Sequence, residues 1–208
     1  MQHSQPIPRY FVSGIGTDVG KTVVAALLTE ALRADYWKPV QAGDLDHGDT
    51  DRVKALVSNP HSQFHPEAYR LRTPMSPDAA ADRDGVRIRL DRIQLPPTDR
   101  PLIVEGAGGL LVPLNERECI IDLMAQLQLP TILVSRHYLG SINHTLASVE
   151  ALRHRQIPLA GIIFNGAKHP ETEASIARHS GAKILGRIDQ VDPLDAAQIQ
   201  KWAVEWQA

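Results

Sequence analysis

The sequence contains a single cysteine, Cys119, and therefore cannot form an internal disulfide. It also lacks a basic excess, because 22 Lys and Arg residues stand against 24 Asp and Glu residues, a formal net charge of −2. Binding to a polyanion through bulk charge is not expected, since phosphate backbones attract proteins with surplus positive charge. Long hydrophobic runs are missing too: the longest, such as residues 23–28, are far shorter than the roughly 20 residues that cross a bilayer. Membrane spanning is thereby excluded.

The length of 208 residues is enough to bury one good core, so we expect a single domain over residues 1–208. Residues 1–9 are polar and contain proline where a secretion signal needs an apolar core. Together with the lone cysteine, this stretch predicts a cytoplasmic protein.

Short apolar runs alternate with longer amphipathic ones along the chain. Four short runs are β-branched and bounded by Pro or Gly, which is typical of strands buried on both faces: residues 10–12, 102–104, 131–134 and 160–164. Apolar residues recur at helical spacing in residues 21–34 and 141–155. This order predicts an α/β fold with a mostly parallel sheet flanked by helices. In such sheets, ligands bind at the carboxyl ends of the strands.

Residues 43–100 interrupt the alternation. They are rich in Asp, Arg, Pro and His, and their periodicity is poor. We expect an irregular substrate- or metal-binding segment with short helices around residues 51–57 and 77–82. Near the C-terminus, Ile199, Trp202 and Trp206 share one helical face, which predicts a helix docked against the sheet.

A glycine-rich loop lies between the first predicted strand and the first predicted helix. It runs from Gly14 to Thr22, and five residues separate Gly14 from Gly20, one more than in the G-x-x-x-x-G-K-[ST] pattern. The turn still supplies backbone N–H groups for phosphate oxygens, the positive charge of Lys21 and a hydroxyl for Mg²⁺ at a helix N-terminus. It predicts a phosphate-binding loop and a three-layer sandwich like that of the P-loop NTPases.

Carboxylates for a metal bound with a triphosphate are predicted in two places. Glu105 ends the strand of residues 102–104 and runs into a glycine-rich turn, where a hard oxygen ligand for Mg²⁺ is expected. The second carboxylate comes from an acidic segment, and spacing alone does not choose among its four members, Asp44, Asp46, Asp49 and Asp51.

Lys38 lies in residues 36–40, which are typical of the end of a second strand. A lysine on a strand commonly faces solvent, and that alternative stays open. If this strand neighbours the first, Lys38 emerges beside the phosphate loop and can steady a transferring phosphoryl group.

Together, these motifs resemble the ATP-dependent dethiobiotin synthetases. The matching segments occur in the family's order: residues 14–22, KPVQAG at 38–43, VEGAGG at 104–109, LGSINH at 139–144 and FN at 164–165. The resemblance covers residues 10–186, and the KPVQAG and LGSINH segments are its more specific parts.

The resemblance implies closure of a ureido ring in biotin biosynthesis, with Mg²⁺ as cofactor. The implied substrates are 7,8-diaminononanoate, ATP and CO₂, with bicarbonate as its source, and the products are dethiobiotin, ADP and phosphate. One amine forms a carbamate, whose oxygen attacks the γ-phosphorus to give a carbamic-phosphoric anhydride. The second amine then displaces phosphate. Such transfer depends on positioning and on cations placed where charge accumulates.

The resemblance also implies roles for single residues. Lys21 holds the β- and γ-phosphates, Lys38 lies between carbamate and γ-phosphate, and Thr17 contacts substrate or carbamate. The implied metal ligands are Thr22, Asp51 and Glu105, with Asp51 preferred because it resembles the family's acid at the start of a short helix. The implied nucleotide-binding residues are Asp18, Val19, Gly20, Lys21, Thr22, Val23, Asp51, Glu105, Gly106, Ala107, Gly108, Asn165 and Gly166. The implied substrate-binding residues are Thr17, Lys38, Ala42, Gly109 and Asn143.

Two asparagines have further implied roles. Asn165 recognises adenine through its amide. Asn143 holds the substrate carboxylate at a helix start, in the family from the other subunit of a homodimer, and the alternative role for Asn143 is a helix cap. Ala42 departs from the hydroxyl residue that many relatives carry in this region, so a side-chain hydroxyl contact to the substrate is lost.

Other classes fit parts of the pattern. A switch-type P-loop ATPase of the partitioning and division-positioning group acts through partner binding, but it needs a lysine early in the loop, where Ser13, Gly14 and Ile15 stand. An amide-forming ligase of the cobyrinate type needs a glutaminase domain or a catalytic Cys–His set, and Cys119 has no such context.

His61 and His65 lie in a proline-containing loop without a third ligand, so we expect no metal there. Neither a nucleic acid nor a membrane is an expected partner.

Overall fold

The computed structural model describes residues 7–207. In chain order its strands are β1 Arg9–Gly14, β2 Asp35–Trp37, β3 Val40–Ala42, β4 Phe64–His65, β5 Tyr69–Leu71, β6 Leu102–Gly109, β7 Thr131–Arg136, β8 Leu159–Asn165 and β9 Ile184–Ile188. Its helices are α1 Lys21–Leu32, α2 Asp49–Leu56, α3 Pro77–Asp84, α4 Ile120–Leu127, α5 Ser141–His154, α6 Pro170–Ser180 and α7 Ala196–Gln207. A short 3-10 turn covers Leu90–Arg92.

Within residues 7–207, seven strands form one parallel sheet in the order β4-β2-β6-β1-β7-β8-β9. The remaining pair, β3 and β5, forms a small parallel sheet of its own. The two faces of the large sheet pack into separate apolar clusters, as alternating side chains require. Val12 and Ile103 pack with α1, α2 and α7, whereas Phe11 and Val104 pack with α3, α4, α5 and α6. The predicted α/β sandwich with a mostly parallel sheet is confirmed.

The predicted second strand, residues 36–40, is wrong as one element. β2 ends at Trp37, and after Lys38 and Pro39 the chain enters β3, which pairs with β5 outside the large sheet. Pro39 has no N–H to donate to a ladder, so strand pairing breaks there. The lysine that follows β2 therefore lies where the chain passes from one sheet to the other.

Residues 43–100 are more regular than the sequence suggested. The two expected helices are present as α2 and α3, and β4 and β5 add edge strands to the two sheets. Helix α1 ends earlier than predicted, at Leu32, because Arg33 takes a left-handed conformation with φ of 47°.

The C-terminal helix α7 docks where predicted, on the α1 face of the large sheet. Ile199 and Ala203 are buried there with residues of α1, and the Trp206 ring lies against Gly186 of β9. In the described part of the chain, no helix combines the length and the apolar composition needed to cross a bilayer. Most of the N-terminal stretch on which the cytoplasmic expectation rested, residues 1–6, lies outside the described residues.

Candidate functional site

A cleft with a cavity of about 910 Å³ opens at the carboxyl ends of β1, β2 and β6. The phosphate loop and the first turn of α1 form one wall. The other wall is formed by β3, α2 and residues 74–77. The predicted site residues that line this cavity are Thr17, Asp18, Gly20, Lys21, Thr22, Val23, Lys38, Ala42, Glu105, Ala107 and Gly108.

The phosphate loop is closed by backbone geometry and by its own lysine. Gly20 precedes α1 with φ of 92°, a left-handed conformation that favours glycine. Lys21 Nζ donates to the carbonyl oxygen of Gly16 at 3.0 Å, and the Lys21 side chain is largely buried. Burial lowers the pKa of Lys21; the Glu105 carboxylate opposes this shift and the Lys38 ammonium adds to it. The Lys21 side chain thus lies at the loop where phosphate oxygens are expected.

Lys38 is buried between two carboxylates, so its solvent-facing alternative is wrong. Its Nζ forms ion pairs with Asp49 and, at 3.2 Å, with Glu105 Oε1, and only 3% of the residue is exposed. Burial alone would lower the pKa of Lys38, but Glu105 and Asp49 outweigh burial and raise it. The condition that this strand neighbours the first is not met, because β6 lies between β2 and β1. Lys38 is therefore linked to the phosphate loop through the Glu105 carboxylate, which contacts both Lys38 and Thr22.

Thr22, Asp49 and Glu105 form a compact set of oxygen donors. Thr22 Oγ1 lies 3.0 Å from Glu105 Oε1 and 3.2 Å from Asp49 Oδ1. Burial alone would raise the pKa of Asp49, but the Lys38 charge and the hydrogen bonds from Lys38 and Thr22 together lower it, which favours the ionised carboxylate. One hydroxyl and two carboxylates are the hard ligands that Mg²⁺ prefers, with water completing its shell. The donor set therefore fits that ion.

The carboxylate beside Lys38 belongs to Asp49 rather than to Asp51, the predicted metal ligand. The Asp51 side chain is exposed and its Oδ2 accepts the backbone N–H of Gly48 at 3.1 Å. An acid at the third helical position commonly caps the helix start in this way, which turns it away from the cleft. Asp49, at the first position of α2, faces Lys38 and Thr22 instead.

Two supporting residues were missed from the sequence. Tyr36 Oη donates to Glu105 Oε2 at 2.8 Å, and burial together with the Glu105 and Asp49 charges raises the pKa of Tyr36 well above its ordinary value. Gln41 Oε1 accepts the backbone N–H of Asp49 at 3.3 Å, and its Nε2 donates to Gly43 at 3.0 Å. For Tyr36 the available signal was its spacing: Tyr36 precedes Lys38 by two residues, which places both side chains on one side of an extended chain, and buried polar side chains need partners.

Asn165 is the last residue of β8, next to the phosphate loop, and Gly166 follows it. Asn165 Nδ2 donates to the carbonyl oxygen of Val19 at 2.9 Å, and Gly166 N donates to Ile188 at 2.8 Å. The amide predicted to bind adenine is thus tied to the loop that precedes α1. On the β6 side, Gly109 packs closely on the loop, since a Cβ there would lie 3.5 Å from atoms of Gly14 and Gly16.

Asn143 is not brought to the cleft within one chain. It is exposed in the first turn of α5, and it is not among the described residues that line the cavity. Its surroundings are unusually apolar for a surface: Leu139 is fully exposed, and Tyr138 and Ile142 are exposed at 44% and 36%. Contiguous exposed apolar residues mark interaction surfaces.

The comparisons with known proteins agree with this architecture. The AAA domain family matches residues 8–198. The ATP-dependent dethiobiotin synthetase BioD of Christiangramia forsetii is 54% identical over 194 residues, 93% of each chain. The protein of the same name from Cytophaga hutchinsonii is 48% identical, covering 95% of this chain and 96% of that one.

Solved structures of lower identity share the fold. A ParA family ATPase from Chlorobium tepidum matches with a TM-score of 0.60 and 15% identity, over 97% of this chain and 98% of that chain. The septum site-determining protein MinD of Pyrococcus horikoshii matches with a TM-score of 0.59 and 16% identity, over 97% and 88%. At such identities the likeness concerns the fold alone.

Proposed function

The chain belongs to the ATP-dependent dethiobiotin synthetases, ATP-using ligases of biotin biosynthesis, and from this premise we propose how its cleft performs the reaction. The observation that carries the proposal is the buried Lys38, held between Asp49 and Glu105 next to Thr22 and the phosphate loop. A partner-driven switch ATPase is not favoured, because the proteins that share about half of the sequence are named as synthetases.

The triphosphate binds along the phosphate loop. Backbone N–H groups of residues 18–23 meet the phosphate oxygens at the N-terminus of α1. On nucleotide binding, Lys21 exchanges its contact with the Gly16 carbonyl for the β- and γ-phosphates, since a phosphate is the stronger partner for an ammonium. Asn165 and Gly166 contact the adenine, and the bond from Asn165 to Val19 couples that contact to the loop.

Lys38 serves the transfer itself. Its ammonium lies between the carbamate oxygen of 7,8-diaminononanoate and the γ-phosphate, where it reduces the repulsion between the two anions. The carbamate oxygen then attacks the γ-phosphorus, ADP leaves, and the second amine displaces phosphate as the ureido ring closes. The raised pKa of Lys38 supports this role, because a group that stabilises negative charge must remain protonated. Thr17, Ala42 and Gly109 are the proposed contacts to the substrate from the cleft walls.

Thr22, Asp49 and Glu105 are the residues that would hold Mg²⁺. The bound ion would supply positive charge to the phosphate oxygens that gain negative charge during transfer. Asp49 replaces Asp51 in this set because Asp51 caps α2.

A second copy of the chain would complete the substrate site. Asn143 and the N–H groups at the start of α5 suit a carboxylate, yet they stand apart from the cavity of their own chain and beside exposed apolar residues. We therefore assign Asn143 to the cleft of the partner in a homodimer.

Two experiments test these proposals. Protein incubated with the diamine, bicarbonate, Mg²⁺ and ATP is expected to release phosphate in proportion to dethiobiotin. Turnover of ATP that does not depend on the diamine and responds to another macromolecule would contradict the assignment.

For the dimer, inactive Lys21→Ala subunits mixed with Asn143→Ala subunits should regain up to about one quarter of wild-type activity, because half of randomly paired dimers contain one intact site. No recovery despite subunit exchange would place Asn143 outside the partner's cleft.

A further inference from the structure

Glu105 divides its two carboxylate oxygens between different partners. Oε1 lies 3.0 Å from Thr22 Oγ1 and 3.2 Å from Lys38 Nζ, whereas Oε2 accepts the Tyr36 hydroxyl at 2.8 Å. The side chain of Glu105 is 0% exposed, and so is Tyr36. Because an ionised carboxylate only accepts and a tyrosine has one hydrogen to give, the direction of the Tyr36 bond is fixed.

Sheet register produces this contact. Tyr36 of β2 pairs with Ile103 of β6 in a parallel ladder. Side chains two residues apart on a strand share a face, so Glu105 points to the same face as Ile103 and Tyr36. On the other side, Phe64 of β4 pairs with Tyr36, and the two ring centroids are 6.2 Å apart. The hydroxyl is thus held by strand pairing on both sides.

We propose that Tyr36 is a positioning residue that fixes the Glu105 carboxylate for magnesium binding. By engaging Oε2, Tyr36 directs Oε1 toward Thr22, Lys38 and the metal, and it prevents rotation of the carboxylate plane. Hydrogen bonds of this kind to a ligand's outer atoms are worth about 10- to 100-fold in metal affinity. The inference rests on the proposed role of Glu105 as a magnesium ligand.

A purely structural role makes a different prediction. A tyrosine buried only for packing would need a partner for its hydroxyl, and Glu105 could serve as that partner without consequence for the metal. Removing the hydroxyl would then change the thermal stability of the protein and leave its magnesium dependence unaltered.

The test compares Tyr36→Phe with Tyr69→Phe. Tyr69 also has a bonded hydroxyl, which accepts the backbone N–H of Arg89 at 3.0 Å on the small sheet. Calorimetry measures binding of adenosine 5′-(β,γ-imido)triphosphate, first in EDTA and then over a series of Mg²⁺ concentrations. For Tyr36→Phe we expect the half-saturating Mg²⁺ concentration to rise about 10-fold or more, with metal-free nucleotide affinity within about 2-fold of wild type. Tyr69→Phe should leave both quantities unchanged.

Glu105→Gln separates failure of this inference from failure of the proposed metal site. If Glu105→Gln shifts the Mg²⁺ midpoint and Tyr36→Phe does not, the positioning role is wrong and the metal site stands. If neither variant shifts the midpoint, the metal site itself is wrong. In the double variant, Tyr36→Phe should add nothing to the shift caused by Glu105→Gln, because it acts through that carboxylate; an additive shift would overturn the inference.

A measurement on the wild-type protein covers the case in which Tyr36→Phe does not fold. The chain has four tyrosines, so Tyr10→Phe, Tyr69→Phe and Tyr138→Phe assign three ring signals in NMR spectra of tyrosine labelled with ¹³C at Cζ, and the fourth belongs to Tyr36. We expect the Tyr36 signal to shift when Mg²⁺ is added to the nucleotide complex, with the other three unmoved. A Tyr36 signal that ignores Mg²⁺ would contradict the role.

Discussion

The two walls of the cleft are held in place by different kinds of contact. The phosphate wall, residues 14–23, continues directly from β1, which pairs with β6 on one side and β7 on the other. The acceptor wall, residues 38–51, starts where the chain leaves the large sheet. Its functional groups are held mainly by side chains: Lys38 by Asp49 and Glu105, and Asp49 by Lys38 and by Gln41.

This difference shows in which wall the residues of the reaction also stabilise the fold. In the phosphate wall, the backbone sets the position of Lys21, whose side chain makes one bond to the loop, to the Gly16 carbonyl oxygen. In the acceptor wall, each charged group supports the next, so a substitution there affects both the reaction and the fold. The predictions below test this contrast, from the largest expected effect to the smallest.

Replacing the two lysines should show the difference between the two walls most clearly. Lys21→Ala and Lys38→Ala should each lower the rate of dethiobiotin formation by at least about 100-fold, because each removes a cation from the transferring phosphate. Lys38→Ala should also lower the free energy of unfolding by about 3 kcal/mol, more than Lys21→Ala, since it leaves Asp49 and Glu105 close together without their counter-ion. Denaturant unfolding without nucleotide measures the free energy of unfolding of both variants. Equal decreases in Lys21→Ala and Lys38→Ala would contradict the difference between the two walls.

The two aspartates of α2 form the next matched pair. Asp49→Ala should reduce activity by about 100-fold at fixed Mg²⁺ concentration, because it removes an oxygen ligand and the partner of Lys38. Asp51→Ala removes only a bond to the Gly48 N–H and should lower the free energy of unfolding by about 1 kcal/mol at most, with activity within about 2-fold. Steady-state kinetics over a Mg²⁺ series distinguishes them, and the opposite ranking would restore Asp51 as the ligand.

The smallest effect concerns Glu30, which joins helix α1 of the phosphate wall to the chain just after α2. Its carboxylate accepts the N–H groups of Ser58 and Asn59 at 2.8 and 3.0 Å. Burial alone would raise the pKa of Glu30, but hydrogen bonds from Asn59 and Ser58 outweigh burial and lower it below 4.5. The ionised form is thus favoured in the folded protein.

For Glu30→Gln we expect a free energy of unfolding lower by about 1 kcal/mol at pH 7, since a neutral amide is the weaker acceptor. A depressed folded pKa gives stability that is fully present above the unfolded pKa and lost as pH falls through the folded pKa. The difference between wild type and variant should therefore shrink as pH falls below the ordinary pKa of a glutamate, about 4.3. Denaturant titrations across this range measure it, and a difference that is constant with pH would show that the charge of Glu30 contributes nothing.

Sequence reasoning succeeded where a residue is attached to the end of a strand. Lys21, Thr22 and Glu105 were found because the strand pattern, the glycines and the helix start all point to one edge of the sheet. Asp49 could not be separated from Asp51, because the choice depends on which of them lies at the third position of α2. The neighbour of β2 was left open by the sequence, because strand order is not encoded in local periodicity. The single-domain organisation and the partner contribution of Asn143 stay predictions, the latter because it depends on a second chain.

Under the proposed function, the substrate contact of Ala42 lies on the small sheet of β3 and β5, apart from the phosphate loop that binds the triphosphate. Among the described strands, β3 and β5 pair with each other and not with the large sheet, so substitutions in them break no ladder bond of the seven-stranded sheet. Redesign for another diamine can therefore concentrate on residues 40–42 and 69–77, while Lys21 and Glu105 are kept.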